Sequence, residues 1–140
     1  MAFRKILVPI DDSEHSKNAF RHALELAQPV GGHVALLHCY GHIPMLIAGD
    51  ARKTLLGELV HESEKLLKPY AKQLREAGVE PVQIIKEGSA GDVIVQESEA
   101  GHYDLIVMGS RGLTDLEGML LGSVAHRVIT LARCPVLLSR

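Results

Sequence analysis

The sequence predicts an α/β fold: an open, mainly parallel sheet of five strands with helices on both faces. Apolar runs of strand length alternate with helical patterns five times along 140 residues. Consecutive strands are then joined by crossover connections, which parallel pairing requires. Glycine and proline punctuate these segments. No internal repeat, low-complexity tract or linker interrupts the series, so residues 1–140 are predicted to form a single domain.

The first strand and the first helix are predicted at the N-terminus. Residues 3–10 contain the run Ile-Leu-Val-Pro-Ile, which is typical of a buried strand, and Asp11 and Asp12 close it. Asp12 or Ser13 suits the N-cap of the following helix, which has an apolar face and ends near Pro29. For Asp12 we favour this capping role over ligand binding.

The second strand is predicted at His33–Tyr40, and a long helix follows after a gap. Residues 41–53 are predicted to form an irregular connector with an apolar patch at 45–47, which fits either a mobile lid or a partner surface. The long helix is expected to stop at Gly78. Pro69 lies within its pattern and is expected to kink or split it.

The C-terminal half repeats the alternation with shorter elements. Strands are predicted at 81–86, 104–108 and 135–139, and helices at 90–100 and 122–132. A glycine-rich loop separates the fourth strand from the last helix. This order of elements completes the five strands.

Composition and charge argue against several classes of protein. The formal net charge is −2, from 15 basic and 17 acidic residues, and no basic block stands out, so a nucleic-acid binder is not expected. Aromatic residues make up 4% of the chain and tryptophan is absent, which argues against stacking platforms for single strands. No apolar stretch is long enough for a signal peptide or a membrane span, so a cytoplasmic protein is expected.

The cysteines and histidines do not predict a metal site. Cys39 and Cys134 lie in apolar runs without metal-ligand spacing, which favours inert thiols in a reduced compartment. The eight histidines show no clustered spacing with cysteine or carboxylate residues. Surface or packed histidines are the favoured interpretation.

The loop after the fourth strand is the strongest candidate for chemistry, because ligands of open α/β sheets bind beyond the carboxyl ends of strands. It contains Gly109 and Gly112, then nine residues, then Gly122 and Ser123 at the start of a predicted helix. Glycines allow close backbone approach, and a helix N-terminus favours phosphate. Plain turn chemistry, with Ser123 as the N-cap, is the alternative interpretation.

Two common nucleotide-binding classes are not supported. The sequence lacks GxxxxGK[ST], and GxGxxG does not follow the first strand, which argues against P-loop NTPases and hydride-transferring Rossmann enzymes. The loop PIDDSEHS also lacks the SGGxDS-like pattern of ATP-pyrophosphate enzymes. Asp11 could hold ribose hydroxyls or a phosphate-bound metal ion.

The spacing G109-x2-G112-x9-G122-S123 resembles the ATP-binding motif of universal stress proteins without a departure. The segments ILVPIDDS, LLHCY, DLIVMGSRG and GSVAHRV…CPVLL are similar to the same family, so the resemblance covers nearly the whole chain. It implies a Rossmann-like, adenine nucleotide α-hydrolase-like fold with strand order 3-2-1-4-5. It also implies ATP binding, because members that do not bind ATP typically lack these glycines.

The resemblance further implies the parts of a nucleotide site. Asp11 would lie near the ribose, the main chain of Cys39 would contact adenine, and residues 122–124 would take phosphate oxygens. The expected site residues are Pro9, Asp11, Cys39, Met108, Gly109, Ser110, Arg111, Gly112, Gly122, Ser123 and Val124.

By this resemblance the protein is expected to be a nucleotide-dependent regulatory or stress-response module. ATP is the expected ligand, with ADP or AMP as alternatives and Mg²⁺ or Mn²⁺ carried by the phosphates. A homodimer through the C-terminal strand is implied. A slow ATPase or autophosphorylating enzyme is the alternative, but no catalytic residue is assigned, since neither Asp11 nor Asp115 has an evident activating partner in the sequence.

Overall fold

Five parallel strands form one sheet in the order β3-β2-β1-β4-β5. The computed structural model describes residues 3–113, 115–116 and 118–140. The strands are β1 (Lys5–Pro9), β2 (His33–Tyr40), β3 (Glu80–Glu87), β4 (Leu105–Gly109) and β5 (Val136–Ser139). The predicted fold class and strand order are confirmed, and the predicted strand bounds agree to within two residues.

Four helices cover the two faces of the sheet. They are α1 (Glu14–Ala27), α2 (Gly49–Glu76), α3 (Ala90–Ala100) and α4 (Ser123–Leu131), and a short 3₁₀ turn (Gln28–Val30) follows α1. Side chains alternate across β1, so Ile6 and Val8 belong to the core under α1 and α2, whereas Leu7 belongs to the core under α3 and α4. Among the described residues, none of the helices has the length and apolar character that a membrane span needs.

The structure corrects the predicted start of the long helix and excludes a split at Pro69. The connector ends at Ala48, since α2 begins at Gly49, four residues before the end of the predicted irregular segment at Lys53. Asp50 in the first turn favours this earlier start, because a carboxylate there faces the positive end of the helix dipole. The helix also continues through Pro69 without a split. Pro69 is exposed, and it lines a surface groove together with Phe20 and Leu24 of α1.

Asp12 and Ser13, the two residues predicted as possible caps of α1, have different roles in the turn between β1 and α1. Ser13 caps α1, with its Oγ accepting a hydrogen bond from Ser16 N at 3.1 Å. Asp12 does not cap the helix: it has a left-handed φ of +65° and accepts a hydrogen bond from the Tyr70 hydroxyl at 2.9 Å. Burial, and then this bond to Asp12, raise the pKa of Tyr70. The expected capping role of Asp12 is therefore wrong.

We predict that Pro69→Ala stabilises the protein. Alanine restores the backbone N–H that proline removes from the interior of α2, and the exposed position has little buried surface to lose. The free energy of unfolding should rise by about 1–3 kcal/mol, partly offset by the greater entropy of the unfolded alanine chain. Urea denaturation followed by circular dichroism measures this, with the exposed neighbour Lys68→Ala as control. A fall in stability would contradict the prediction.

Candidate functional site

A cavity lies at the carboxyl ends of β1, β2 and β4, on the face that α3 and α4 cover. Its apolar wall includes Leu37, Ile94 and Ala125 from the core of that face. Eight of the predicted site residues line it: Pro9, Asp11, Cys39, Met108, Gly109, Arg111, Gly112 and Val124. The fold therefore brings together residues that are up to 115 positions apart in the sequence, counted from Pro9 to Val124.

The other three predicted residues form the two ends of the β4–α4 loop. Ser110 is buried, and its carbonyl oxygen accepts a hydrogen bond from Gly122 N at 2.7 Å. This bond closes the loop beside the cavity. Gly122 is the N-cap of α4, and Ser123 is the first residue of the helix, so the alternative in which Ser123 caps the helix is wrong. Residues 114 and 117 of the loop lie outside the described residues.

The start of α4 suits an anion. Its N-cap is a glycine and makes no side-chain capping bond. The first N–H groups of a helix have no partner within the helix, and they carry the positive end of its dipole. An anionic oxygen next to residues 123–125 would complete these groups. Val124 and Ala125 already line the cavity from this position.

Three glycines of the loop are closely packed. A Cβ on Gly109 would lie 2.7 Å from the His15 Cβ, and one on Gly112 would lie 2.8 Å from the Asp11 Oδ2. A Cβ on Gly122 would overlap Asp115 Oδ2 and would lie 3.2 Å from the Arg111 Cα. At Gly109 the backbones of His15 and Arg111 leave no room for a side chain, whereas at Gly112 and Gly122 the nearest atoms are carboxylate oxygens of Asp11 and Asp115, which can move aside.

Asp11 links the end of β1 to the same loop. Its Oδ1 accepts a hydrogen bond from Ser13 N at 3.0 Å, and its Oδ2 accepts one from Leu113 N at 3.3 Å. The carboxylate therefore borders the cavity between the first and the fourth strand. Among the described residues, no group of three or more histidine, cysteine or carboxylate side chains is placed to hold a metal ion.

Comparison with known proteins identifies the family. The model of the universal stress protein family matches residues 2–140. This chain belongs to the universal stress protein family. It is 37% identical to universal stress protein MJ0531 of Methanocaldococcus jannaschii over 137 residues, which cover 96% of this chain and 81% of that protein.

Solved structures show the same relationship. The structure of MJ0577 from Methanocaldococcus jannaschii matches with a TM-score of 0.91 and 31% identity, covering 99% of this chain and 96% of that one. A universal stress protein family protein from Arabidopsis thaliana, solved with AMP bound, matches with a TM-score of 0.72 and 25% identity over 97% and 90% of the two chains.

Sequence reasoning gave no role to His15, in the first turn of α1, which lies beside the site of this universal stress protein. The Arg111 guanidinium donates to His15 Nε2 at 3.0 Å and to the Leu116 carbonyl oxygen at 3.4 Å. Because a guanidinium only donates, Nε2 is the unprotonated nitrogen, and Nδ1 faces the Ser110 hydroxyl at 3.4 Å. Arg111 thus joins α1 to the loop. No local pattern signals this contact, since the partners are 96 residues apart.

Cys39 lies at the opposite end of the cavity from the loop, on β2. Burial raises the pKa of its thiol to about 11, and the negative charge of Glu97 adds to the effect. The side chain is therefore a protonated thiol near neutral pH, a weak nucleophile. This agrees with the inert thiol that the apolar strand predicts.

We predict slow modification of Cys39 in the folded protein. At pH 8 a pKa near 11 leaves about a hundredfold less thiolate than the ordinary value of 9.0. In the Cys134→Ser variant, Cys39 is the sole cysteine, and its reaction with Ellman's reagent can be timed in buffer and in urea. The modification rate of the folded protein should keep rising about tenfold per pH unit above pH 9, whereas the rate of the unfolded protein in urea should level off there. A folded rate that levels off near pH 9 would contradict the raised pKa.

Proposed function

We propose that this universal stress protein binds an adenine nucleotide in the cavity and acts as a nucleotide-dependent regulatory or stress-response module, with ATP as its main ligand. The observation that carries the proposal is the convergence of eight predicted site residues on one cavity beside the uncapped N-terminus of α4. The relative solved with AMP bound supports the choice of an adenine nucleotide.

The cavity offers a different surface to each part of the nucleotide. Leu37 and Ile94 form an apolar wall for the base, next to the main chain of Cys39 on β2. Asp11 stands where its carboxylate would accept hydrogen bonds from ribose hydroxyls, between Pro9 and the loop. Met108 and Gly109 border the same region.

The loop and the start of α4 complete the proposed site. Ser110, Arg111 and Gly112 would form the loop above the phosphates, and the backbone N–H groups of Ser123 and Val124 would donate to phosphate oxygens. The Gly122 N–H donates to the Ser110 carbonyl oxygen, so Gly122 would serve the phosphates through the close approach that a glycine allows. A Mg²⁺ or Mn²⁺ ion would arrive with the phosphates, since such ions are commonly held by substrate phosphates and a few carboxylates.

The same proposal includes a homodimer and a cytoplasmic location. β5 pairs with β4 and stands at one edge of the sheet, so its other side is free to pair with a second copy. The side-chain amide of Asn18 donates to the Arg140 carbonyl oxygen at 2.8 Å and holds the C-terminal end against α1. The reduced thiols of Cys39 and Cys134 agree with the cytoplasm.

We predict that Gly122→Val abolishes nucleotide binding and leaves the fold intact. Even a Cβ at this position overlaps Asp115 Oδ2, and valine adds two methyl groups at the helix N-terminus where phosphate must approach. Calorimetric titration with Mg-ATP should show affinity lowered at least about a hundredfold, which is about 2.7 kcal/mol.

The matched control is Gly57→Val. Gly57 is exposed on α2, and a Cβ there meets nothing within 4 Å. This variant should bind Mg-ATP like the wild type. Equal affinities of a folded Gly122→Val variant and the wild type would overturn the site, and failure of nucleotide-free wild type to bind any adenine nucleotide would overturn the proposed function.

We also predict that ATP is turned over very slowly or not at all. Asp11 accepts hydrogen bonds from the amides of Ser13 and Leu113, so its carboxylate is not poised to activate a water molecule. Efficient phosphoryl transfer also needs an oriented nucleophile and charge stabilisation specific to the transition state. We expect a rate at least about ten-thousandfold below the roughly 1–100 per second of protein kinases.

The measurement uses γ-labelled ATP with magnesium, following released phosphate and labelled protein over hours. The Gly122→Val variant serves as a blank for contaminating ATPases. Several turnovers per second, lost in Asp11→Ala while binding persists, would favour the enzyme over the regulatory module and would make Asp11 catalytic.

A further inference from the structure

The amide groups of the β4–α4 loop already bind carboxylates of the protein itself. Gly112 N donates to Asp115 Oδ2 at 2.6 Å, and Leu113 N donates to Asp11 Oδ2 at 3.3 Å. Both donors belong to the loop that the proposed function places above the phosphates. Hydrogen bonds from amides to an ionised acceptor are short and about twice as strong as those between neutral groups.

Asp115 also covers the glycine at the start of α4. A Cβ on Gly122 would overlap Asp115 Oδ2 and lie 2.9 Å from its Cγ, and a Cβ on Gly112 would lie 3.6 Å from the same oxygen. One carboxylate therefore lies between the two glycines that the phosphate motif provides. An anion at this helix N-terminus is what the dipole favours, and here the anion is a side chain.

The size of the cavity agrees with this arrangement. Its volume is about 100 Å³, whereas ligand pockets commonly measure about 300–1,000 Å³. Asp115 and Arg111 both line it. The strands beneath are buried and hydrogen-bonded on both sides, so room for a nucleotide must come from these loop side chains.

We propose that Asp115 is an internal competitor for the phosphate groups of the ligand. Its carboxylate occupies the phosphate position over Gly112 and Gly122, and it must leave when a phosphorylated nucleotide binds there. The inference rests on the proposed function and adds a determinant of specificity to it. Displacement of Asp115 opposes the binding of a nucleotide and leaves the binding of a nucleoside, which has no phosphate, unchanged.

Calorimetric titrations with ADP and with adenosine test the competition. Asp115→Asn keeps the shape of the side chain and removes its charge, so the variant should bind ADP about tenfold more tightly than the wild type and adenosine with equal affinity. The matched control is Glu76→Gln, which removes the same charge from the far end of α2, at the opposite edge of the sheet. It should bind both ligands like the wild type.

Salt separates competition for the site from through-space repulsion. Repulsion between separated charges is largely screened at about 1 M salt, whereas the loss of a direct hydrogen bond is not. The gain for ADP should therefore persist between about 0.1 M and about 1 M salt. A gain that disappears at high salt, or no gain at all, would overturn the inference.

Carbon-13 NMR of the Asp115 carboxyl group provides a test in the wild type, independent of the variant's folding. Saturating ADP should shift this resonance as the bond to Gly112 N breaks, and saturating adenosine should not. An unchanged resonance with ADP bound overturns the role of Asp115 and leaves the proposed function standing. If ADP fails to bind the wild type and the variant alike, the proposed function fails, and this inference fails with it.

Discussion

The turn from β4 into α4 is the constraint on which the rest of the site depends. Ser110 N donates to the Ser139 carbonyl oxygen, and Gly122 N donates to the Ser110 carbonyl oxygen, each at 2.7 Å. These bonds anchor the start of the loop to β5 and bring its end back to the same residue. The first turn of α4 must therefore lie near the carboxyl end of β4. Gly109 has no room for a side chain between the backbones of His15 and Arg111, so this glycine is required by packing before any ligand is considered.

Most of the fold could be predicted because each strand can be recognised from a short stretch of sequence. Buried parallel strands are continuous apolar runs, and their bounds can be recognised from a few residues on each side. The start of α2 could not be predicted in this way, because glycine and aspartate are common in loops. Only the complete helix shows that Gly49 and Asp50 form its first turn. The split expected at Pro69 does not occur for a related reason. An exposed proline in a helix of 28 residues removes one hydrogen bond, and the rest of the helix retains its own.

The site was predictable to the extent that its chemistry lies in the backbone. Glycine spacing after a strand indicates where amides are accessible, so residues 109–112 and 122–124 are predicted as a phosphate site from the sequence together with the family resemblance. The contacts of His15 and Asp12 could not be, because Arg111 and Tyr70 reach them from elements 96 and 58 residues away. Asp115 carries no sequence signal for its bond to Gly112 N, since an aspartate in a polar loop is ordinarily solvated.

In the proposed function, replacement of the Asp115 carboxylate by phosphate would change the β4–α4 loop, and a partner protein could recognise that change. Leu113, Leu116 and Leu120 on the β4–α4 loop are 68%, 74% and 83% exposed. The carbonyl of Leu116 is held by Arg111 and the amide of Leu113 by Asp11, so these side chains belong to the same hydrogen-bonded loop as the Asp115 bond to Gly112 N. A ligand shifts a conformational equilibrium only by its difference in affinity for the two states. The proposed competition between Asp115 and phosphate would be such a difference, and by linkage a partner that contacts this apolar surface in one state would change the affinity for nucleotide by the same factor.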